Sequence, residues 1–194
     1  MPEPSGGPAA VPERSGPNGT GPNGAGPDGV GPDGVGRRAR RATGADHAAA
    51  VALWQRTEDE PGVGRLPETV VLIQARFAAP GAVLMIVERG GLVVGTALGE
   101  PAREDAGRGR PIPGLAHLST VFVDPDHRGT GIGGVLVGGL LAELRAGGYR
   151  RAQLWVHEAN RPARRLYTRH GFHPTGTRAR DERGAPSLLM VRPL

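Results

Sequence analysis

The chain contains no cysteine and no lysine, and its aromatic side chains amount to two Trp, two Tyr and three Phe among 194 residues. The absence of cysteine excludes a disulfide framework and any metal site built on thiolates. The absence of lysine excludes the phosphate loop of nucleoside triphosphatases, which requires Gly-Lys-Ser/Thr at its end. The arginines are scattered and have no aromatic-rich basic face beside them, so we expect no nucleic-acid partner.

Long apolar stretches are also missing. No apolar run approaches the roughly 18 residues that a membrane-spanning helix needs, and no signal-peptide pattern opens the chain. We therefore expect a soluble cytoplasmic protein with no membrane partner. The histidines show no metal-ligand spacing, so no metal site is expected.

The composition changes near residue 36. Four copies of Gly-Pro-(Asn/Asp)-Gly-x run from Gly16 to Val35, and their period of five excludes a collagen helix. Such turns bury no core, so we expect residues 1–36 to be a disordered tail and residues 37–194 to be one folded domain. The tail holds one Arg and four acids, which leaves 23 Arg and 15 acids, a net charge of +8, in the folded part. That charge suits an anionic ligand, although solubility explains it equally well.

Alternating and 3.6-residue apolar patterns divide the folded part into seven strands and four helices. A polar loop is expected over 99–113. The helix over 131–146 carries Gly138 and Gly139 in its middle, each of which costs about 1 kcal/mol against alanine. The other helices are expected at 47–56, 67–78 and 160–170, and the strands at 37–43, 82–88, 92–98, 115–123, 151–157, 172–177 and 187–191.

The most informative stretch is the junction between the fourth strand and the third long helix. The apolar run that ends at Val123 is followed by Asp124 and Pro125, and then by the Arg-Gly-Thr-Gly-Ile-Gly sequence of 128–133. The first N–H groups of a helix have no intrahelical partner, and the helix dipole makes that end attract anions. Glycines let a phosphate approach the backbone, and Arg128 adds a positive charge. The junction therefore predicts a phosphate-binding loop.

Two phosphate-binding templates remain to be compared. The dinucleotide pattern Gly-x-Gly-x-x-Gly is present at Gly129, Gly131 and Gly134, and Glu158 follows at a suitable distance. However, five residues separate the strand from the first glycine, and only 36 residues follow Glu158. The second template is the pyrophosphate loop Gln/Arg-x-x-Gly-x-Gly/Ala, which 128–133 matches at every fixed position. Through this match the chain resembles the GNAT acetyltransferase superfamily.

A second segment strengthens the resemblance. Residues 160–172 are similar to the Asn-x-x-Ala-x-x-Leu-Tyr-x-x-x-Gly-Phe segment of the same superfamily. Both segments occur in the family's order, and the resemblance covers residues 37–194. It implies an α/β (α+β) fold: a mixed, mostly antiparallel sheet of about seven strands, splayed between strands 4 and 5 and flanked by four helices. Acetyl-CoA would lie in the splay.

The resemblance also implies a cofactor site. The backbone of the strand end would bind the pantetheine arm, the loop amides and Arg128 would hold the pyrophosphate, and Asn160 would bind the pantetheine or phosphate side. Arg161, Arg164 or Arg165 could meet the adenosine 3′-phosphate, but a solvated helix face explains them equally well. The implied cofactor-binding residues are Val121, Phe122, Val123, Arg128, Gly129, Thr130, Gly131, Ile132, Gly133 and Asn160.

The implied activity is transfer of an acetyl group from acetyl-CoA to a primary amine by direct attack in a ternary complex. Tyr167 matches the tyrosine that faces the departing thiolate, and His117 occupies the place of the family's glutamate base on the fourth strand, although ordered water serves many members instead. The acceptor is a small-molecule or peptide amine that the sequence does not identify. A homodimer is only a family-level expectation. Two alternatives stay open: an acyl-CoA-binding regulatory module without transferase activity, and a nucleotide-binding oxidoreductase.

Overall fold

The fold is described from a computed structural model, over residues 38–57, 67–180 and 184–194. The predicted tail at 1–36 lies outside the described residues. The described strands are Arg40–Arg41 (β1), Val83–Arg89 (β2), Leu92–Arg103 (β3), Pro111–Val123 (β4), Arg151–His157 (β5), His173–Arg180 (β6) and Pro186–Pro193 (β7). The α-helices are His47–Thr57 (α1), Pro67–Phe77 (α2), Glu104–Gly107 (α3), Ile132–Ala146 (α4) and Arg161–Arg169 (α5).

The seven strands form one sheet in the order β1-β2-β3-β4-β5-β7-β6. Every neighbouring pair in it is antiparallel except β4 and β5, which are parallel. The predicted fold class is thereby confirmed. In the part of the chain that the structure describes, none of the helices has the length and apolar character required to cross a membrane.

Strands β4 and β5 separate part-way along their length. Their pairing covers only Leu115–Leu118 of β4 against Arg151–Leu154 of β5. Beyond that point β4 stays paired with β3 as far as Val123, while β5 stays paired with β7 as far as His157. The sheet is therefore open between its two central strands, at the carboxyl end of both.

Helices cover both faces of the sheet. On one face α1 and α2 bury an apolar cluster that includes Leu53, Phe77 and Leu98. On the other face α4 and α5 bury a larger cluster with the inward side chains of β2, β4 and β5, among them Leu140 and Leu154. Because side chains alternate along a strand, each β4 residue can be assigned to one of these two faces.

The prediction of a loop over 99–113 is wrong at both ends. Strand β3 continues to Arg103 and β4 begins at Pro111, and Arg103 pairs with Pro111 at the end of the ladder. One turn of helix, α3, joins them. The local composition predicts a loop because these residues are polar, glycine-rich and proline-rich, but pairing with the neighbouring strand extends the hairpin. Pro111 is tolerated because it is the first residue of its strand.

Close packing explains one of the two mid-helix glycines of α4. A Cβ on Gly139 would lie 3.2 Å from Cβ of Ala39 and from Cε of Met85, which is tighter than an ordinary contact. A Cβ on Gly138 would lie 3.6 Å from the His170 ring, an ordinary van der Waals contact, so packing does not explain that glycine. The sheet contributes a matching residue, because a Cβ on Gly95 would lie 2.7 Å from Cγ2 of Ile132. The absence of side chains at Gly139 and Gly95 lets α4 lie close to the sheet.

We predict that Gly95→Ala destabilises the fold by about 1–3 kcal/mol, because the added methyl group overpacks against Ile132 and Leu136, both almost fully buried. Gly44→Ala is the matched control, since a Cβ there meets nothing within 4 Å. Urea unfolding followed by circular dichroism measures both free energies of unfolding. Equal stability of the two variants would contradict the packing account.

Candidate active site

The turn between β4 and α4 is fixed by its own polar groups. Oδ1 of Asp124 accepts a hydrogen bond from the N–H of Asp126 at 3.1 Å, and Oγ1 of Thr130 donates to the carbonyl of His127 at 2.7 Å. Burial would raise the pKa of Asp124, but the Asp126 N–H, His127 and Arg56 outweigh it and lower that pKa. Asp124 is therefore ionised at neutral pH and holds the turn in shape.

The glycines of the turn adopt a conformation that other residues avoid. Gly129 has φ of +76°, and Gly131, the N-cap of α4, has φ of +87°. A Cβ at either position would meet nothing within 4 Å, so the space before the helix is open. Within the described residues, no carbonyl accepts from the N–H groups of residues 129–133. Five free donors at a helix N-terminus, beside the exposed Arg128, are suited to binding an anion, and we call residues 129–133 the anion-binding loop for that reason.

Three elements converge at this loop. A Cβ on Gly133, in the first turn of α4, would lie 3.2 Å from Cδ2 of Leu166 in α5 and 3.9 Å from Cγ2 of Val123 at the end of β4. The anion-binding loop therefore adjoins the strand end at which the sheet is open. Within the described residues, 120–123 pair with β3, and none of 119–123 pairs with β5. That edge of β4 is free to pair with an extended ligand.

Asn160 has a structural role at the start of α5. Its Oδ1 accepts a hydrogen bond from the N–H of Ala163 at 3.1 Å and so caps the helix. Its Nδ2 donors and the second lone pair of Oδ1 remain for a ligand. The contact of Asn160 with a cofactor stays a prediction, and the atoms available for it are those that the helix cap leaves free.

A bulge in β4 directs several polar side chains to the α1–α2 face. Leu98 of β3 pairs with Thr120 and Gly99 with Leu118, so Ser119 is an extra residue in β4. Leu118 packs into the α4–α5 cluster, which puts its neighbour His117 on the opposite face. Within the described residues, Nδ1 of His117 and Oγ1 of Thr120 are buried without a hydrogen-bond partner. Such groups are available to a substrate or to water.

His117 lies beside an ion pair. Its cross-strand partner is Glu100, whose Oε2 accepts a hydrogen bond from Nη2 of Arg76 at 2.5 Å. Burial lowers the pKa of His117; the Glu100 carboxylate opposes that effect and the Arg76 guanidinium adds to it. Burial would raise the pKa of Glu100, but Arg76, helped by the Ser119 hydroxyl and by His117, lowers it. At neutral pH His117 is thus a neutral imidazole next to an ionised carboxylate, an arrangement suited to accepting a proton.

Tyr167 approaches from the other face. It lies on the buried side of α5, is 9% exposed, and packs edge-on against Phe172 with ring centroids 5.9 Å apart. Burial raises its pKa to about 12, so the phenol remains protonated at neutral pH. Residues 128–133 lie together in the turn between β4 and α4, and their binding of a phosphate stays a prediction. His117 and Tyr167 lie on opposite faces of the sheet.

Sequence reasoning did not find Glu100, Arg76 or Trp155. Trp155 alternates with Leu154 and Val156, which pack on the α4–α5 face, so its side chain, 40% exposed, lies on the same face as His117. The useful signal would have been the pairing register of β3 with β4, which brings Glu100 opposite His117.

No set of three or more His, Asp or Glu side chains gathers as metal ligands among the described residues.

Comparison with known proteins identifies the family. A sequence model of the Acetyltransferase (GNAT) family matches residues 42–172, more than half of the chain. The chain belongs to the GNAT acetyltransferase family. A similar curated protein, the mycothiol acetyltransferase of Thermobispora bispora, is 39% identical over 87 residues, which are 45% of this chain and 28% of that protein. The matched segments span between 20% and 28% of the length of the four curated relatives.

Solved GNAT structures share the fold. The ribosomal-protein-alanine N-acetyltransferase of Brucella melitensis is 25% identical with a TM-score of 0.62, and covers 80% of this chain and 99% of its own. YncA of Salmonella typhimurium, solved with its cofactor acetyl-CoA, is 23% identical with a TM-score of 0.62, and covers 80% of this chain and 92% of its own. The family uses acetyl-CoA.

We predict that the pKa of His117 lies below its usual value near 6.5 and that Glu100→Gln lowers it further, because the carboxylate is the group that raises it. Titration of the imidazole resonances by nuclear magnetic resonance measures both values. Glu143→Gln is the control: this half-exposed carboxylate on α4 pairs with Arg41, and its removal should leave the His117 titration unchanged. A rise in the His117 pKa on removal of Glu100 would show that the two groups are not coupled as described.

Proposed function

We propose that this protein is an N-acetyltransferase that moves an acetyl group from acetyl-CoA to a primary amine by direct attack in a ternary complex. The observation that carries the proposal is the anion-binding loop of residues 129–133 beside the point where β4 leaves β5, in a chain of the GNAT family. That arrangement offers donors to a pyrophosphate and a free strand edge to an amide-containing arm, one after the other.

The cofactor would be held mainly by backbone groups. The N–H groups from Gly129 through Thr130, Gly131 and Ile132 to Gly133 would bind the pyrophosphate, with Arg128 as a counter-charge. Backbone groups of Val121, Phe122 and Val123 would bind the pantetheine arm. Nδ2 of Asn160 would donate to the same arm or to a phosphate. The family's use of acetyl-CoA supports acetyl-CoA over a dinucleotide as the ligand.

His117 and Tyr167 would divide the proton transfers. The amine nitrogen forms a bond to the acetyl carbon while the carbon–sulfur bond breaks, so the amine must lose a proton and the thiolate must gain one. Neutral His117 would accept the amine proton, directly or through a water, and Glu100 would stabilise the resulting imidazolium. The protonated Tyr167 would donate to the departing sulfur from the opposite face.

The acceptor would enter from the α1–α2 face, where His117, Thr120 and Trp155 lie. Both small-molecule and peptide amines remain candidates, because the relatives whose names specify an acceptor act on different ones. A homodimer likewise remains a family-level proposal.

The activity is tested by measuring thiol release from acetyl-CoA in the presence of a panel of amines: diamines, amino sugars, peptides with free N-termini and lysine-containing peptides. Amine-dependent release together with an acetylated product identified by mass spectrometry is the expected result. Saturable acetyl-CoA binding without release for any amine would favour a regulatory module, and preferential binding of NADH would favour an oxidoreductase.

We predict that Gly131→Glu weakens acetyl-CoA binding by about tenfold or more, because it puts a negative charge in the anion-binding loop. Gly148→Glu is a matched control at the other end of α4: its φ is +84°, a Cβ there also meets nothing within 4 Å, and both variants carry a backbone strain of about 1–2 kcal/mol. Calorimetric titration compares the two. Equal loss of affinity would mean that the loop is not the binding site.

We also predict that Tyr167→Phe lowers kcat by about 10²-fold or more while the affinity for acetyl-CoA changes little, because a proton donor is lost and the ring is kept. Tyr149→Phe is the control, since Tyr149 is the other tyrosine of the chain and follows the C-terminal end of α4, the end opposite to the anion-binding loop. Pre-steady-state thiol release isolates the chemical step. Wild-type turnover of the Tyr167 variant in that step would remove the acid role.

A further inference from the structure

A groove runs along the outer side of α5, between that helix and strands β6 and β7. It encloses about 570 Å³, within the usual range of ligand pockets. Its base is apolar, since Leu188 and Met190 of β7 belong to the core cluster. We call it the arginine groove because its walls are formed by Arg161, Arg164, Arg165 and Arg169, with Pro174 from β6.

The charge in the arginine groove has no counter-charge among the described residues. None of them places a carboxylate in its lining, and the side chains of Arg161, Arg165 and Arg169 have neither an ion pair nor a hydrogen bond with any of them. The nearby acid does not neutralise them, because the Glu158 carboxylate pairs with Arg178 at 2.8 Å. The groove is therefore a concentration of positive charge above an apolar base.

The helix itself gains little from this pattern, because Arg169, in the last turn, is the one groove arginine that the helix dipole favours. Arg161, Arg165 and Arg169 follow each other at intervals of four, a spacing at which like charges destabilise a helix by about 0.2–0.5 kcal/mol per pair. Arg161 also stands in the first turn, which contains no acidic residue, although negative charge is favoured there. A sequence that breaks local rules in this way is typical of a site that serves a ligand.

The arginine groove is separate from the cofactor cleft. The side of α5 that meets α4 carries Leu166, which faces Gly133, and His170, which faces Gly134 and Gly138. With 3.6 residues per turn, Arg161, Arg165 and Thr168 lie on the opposite flank of the helix. A ligand in the groove and a phosphate on the α4 loop would thus contact different sides of α5.

We propose that the arginine groove is a docking site for an acidic segment of a partner polypeptide that carries at least one apolar side chain. Carboxylates would meet the guanidinium groups, with bidentate geometry available at each, and the apolar side chain would lie against Leu188 and Met190. The groove lining contains no aromatic side chain on which a base could stack, which favours a peptide over a single-stranded nucleic acid. This proposal does not depend on the transferase activity.

The test uses a fluorescein-labelled peptide that alternates Asp or Glu with Leu, added to the full chain and followed by fluorescence anisotropy. We expect saturable binding that weakens with salt, and a loss of about tenfold or more in the double variant Arg165→Glu, Arg169→Glu. The matched control is Arg108→Glu, Arg110→Glu, which makes the same charge change at exposed positions far along the chain from α5 and should bind like wild type within about twofold.

Three further binding measurements distinguish an acidic peptide from the other possible ligands of the groove. A peptide with Asn and Gln in place of the acids should not bind, and an oligothymidylate of equal length should bind more weakly than the acidic peptide. The single variant Arg169→Glu, at the wall arginine that the family resemblance does not place near the cofactor, should bind the peptide more weakly than wild type and acetyl-CoA as tightly as wild type. Equal peptide binding by both double variants, tighter binding of the oligonucleotide through the same arginines, or a parallel loss of acetyl-CoA affinity in Arg169→Glu would each overturn the proposal.

Discussion

The close approach of α4 to the sheet is the constraint on which the rest of the site depends. Gly95 of β3 and Gly139 of α4 leave room for the helix to lie against the strands, and Gly133 leaves room for α5 and the end of β4. The distance from helix to sheet fixes where the first turn of α4 stands, and so where its free N–H groups point. Backbone groups held by a packed core need little reorganisation when an anion binds.

The separation of β4 from β5 supplies the second half of the site. The two faces of the sheet differ chemically. The α4–α5 face carries the protonated phenol of Tyr167, and the α1–α2 face carries the neutral imidazole of His117 with its neighbours Glu100 and Arg76. Burial causes both pKa shifts, and in opposite directions, because it disfavours the phenolate and the imidazolium alike. The proposed proton donor and the proposed proton acceptor therefore lie on opposite faces of the sheet.

Much of this could be predicted from the sequence. The glycine loop and the helix start at Asn160 are local patterns, and the strands and helices follow from their apolar periodicity. The pairing of Glu100 with His117 could not be predicted, because it depends on a register that a bulge shifts by one residue. Two further features could not be predicted either: the residues that contact Gly138 and Gly139, and the pairing of β3 with β4 at the end of their hairpin. Both arise from contacts between segments that are distant in the sequence.

The central claim is that the backbone N–H groups of residues 129–133 bind the pyrophosphate of acetyl-CoA. Amide chemical shifts measured by nuclear magnetic resonance during a titration with acetyl-CoA, with NADH as the control, test it most directly. The account predicts saturable shifts at Gly129, Gly131 and Gly133 with acetyl-CoA and far smaller ones with NADH. Binding of acetyl-CoA that leaves these amides unchanged, or no binding by the folded protein, would contradict it.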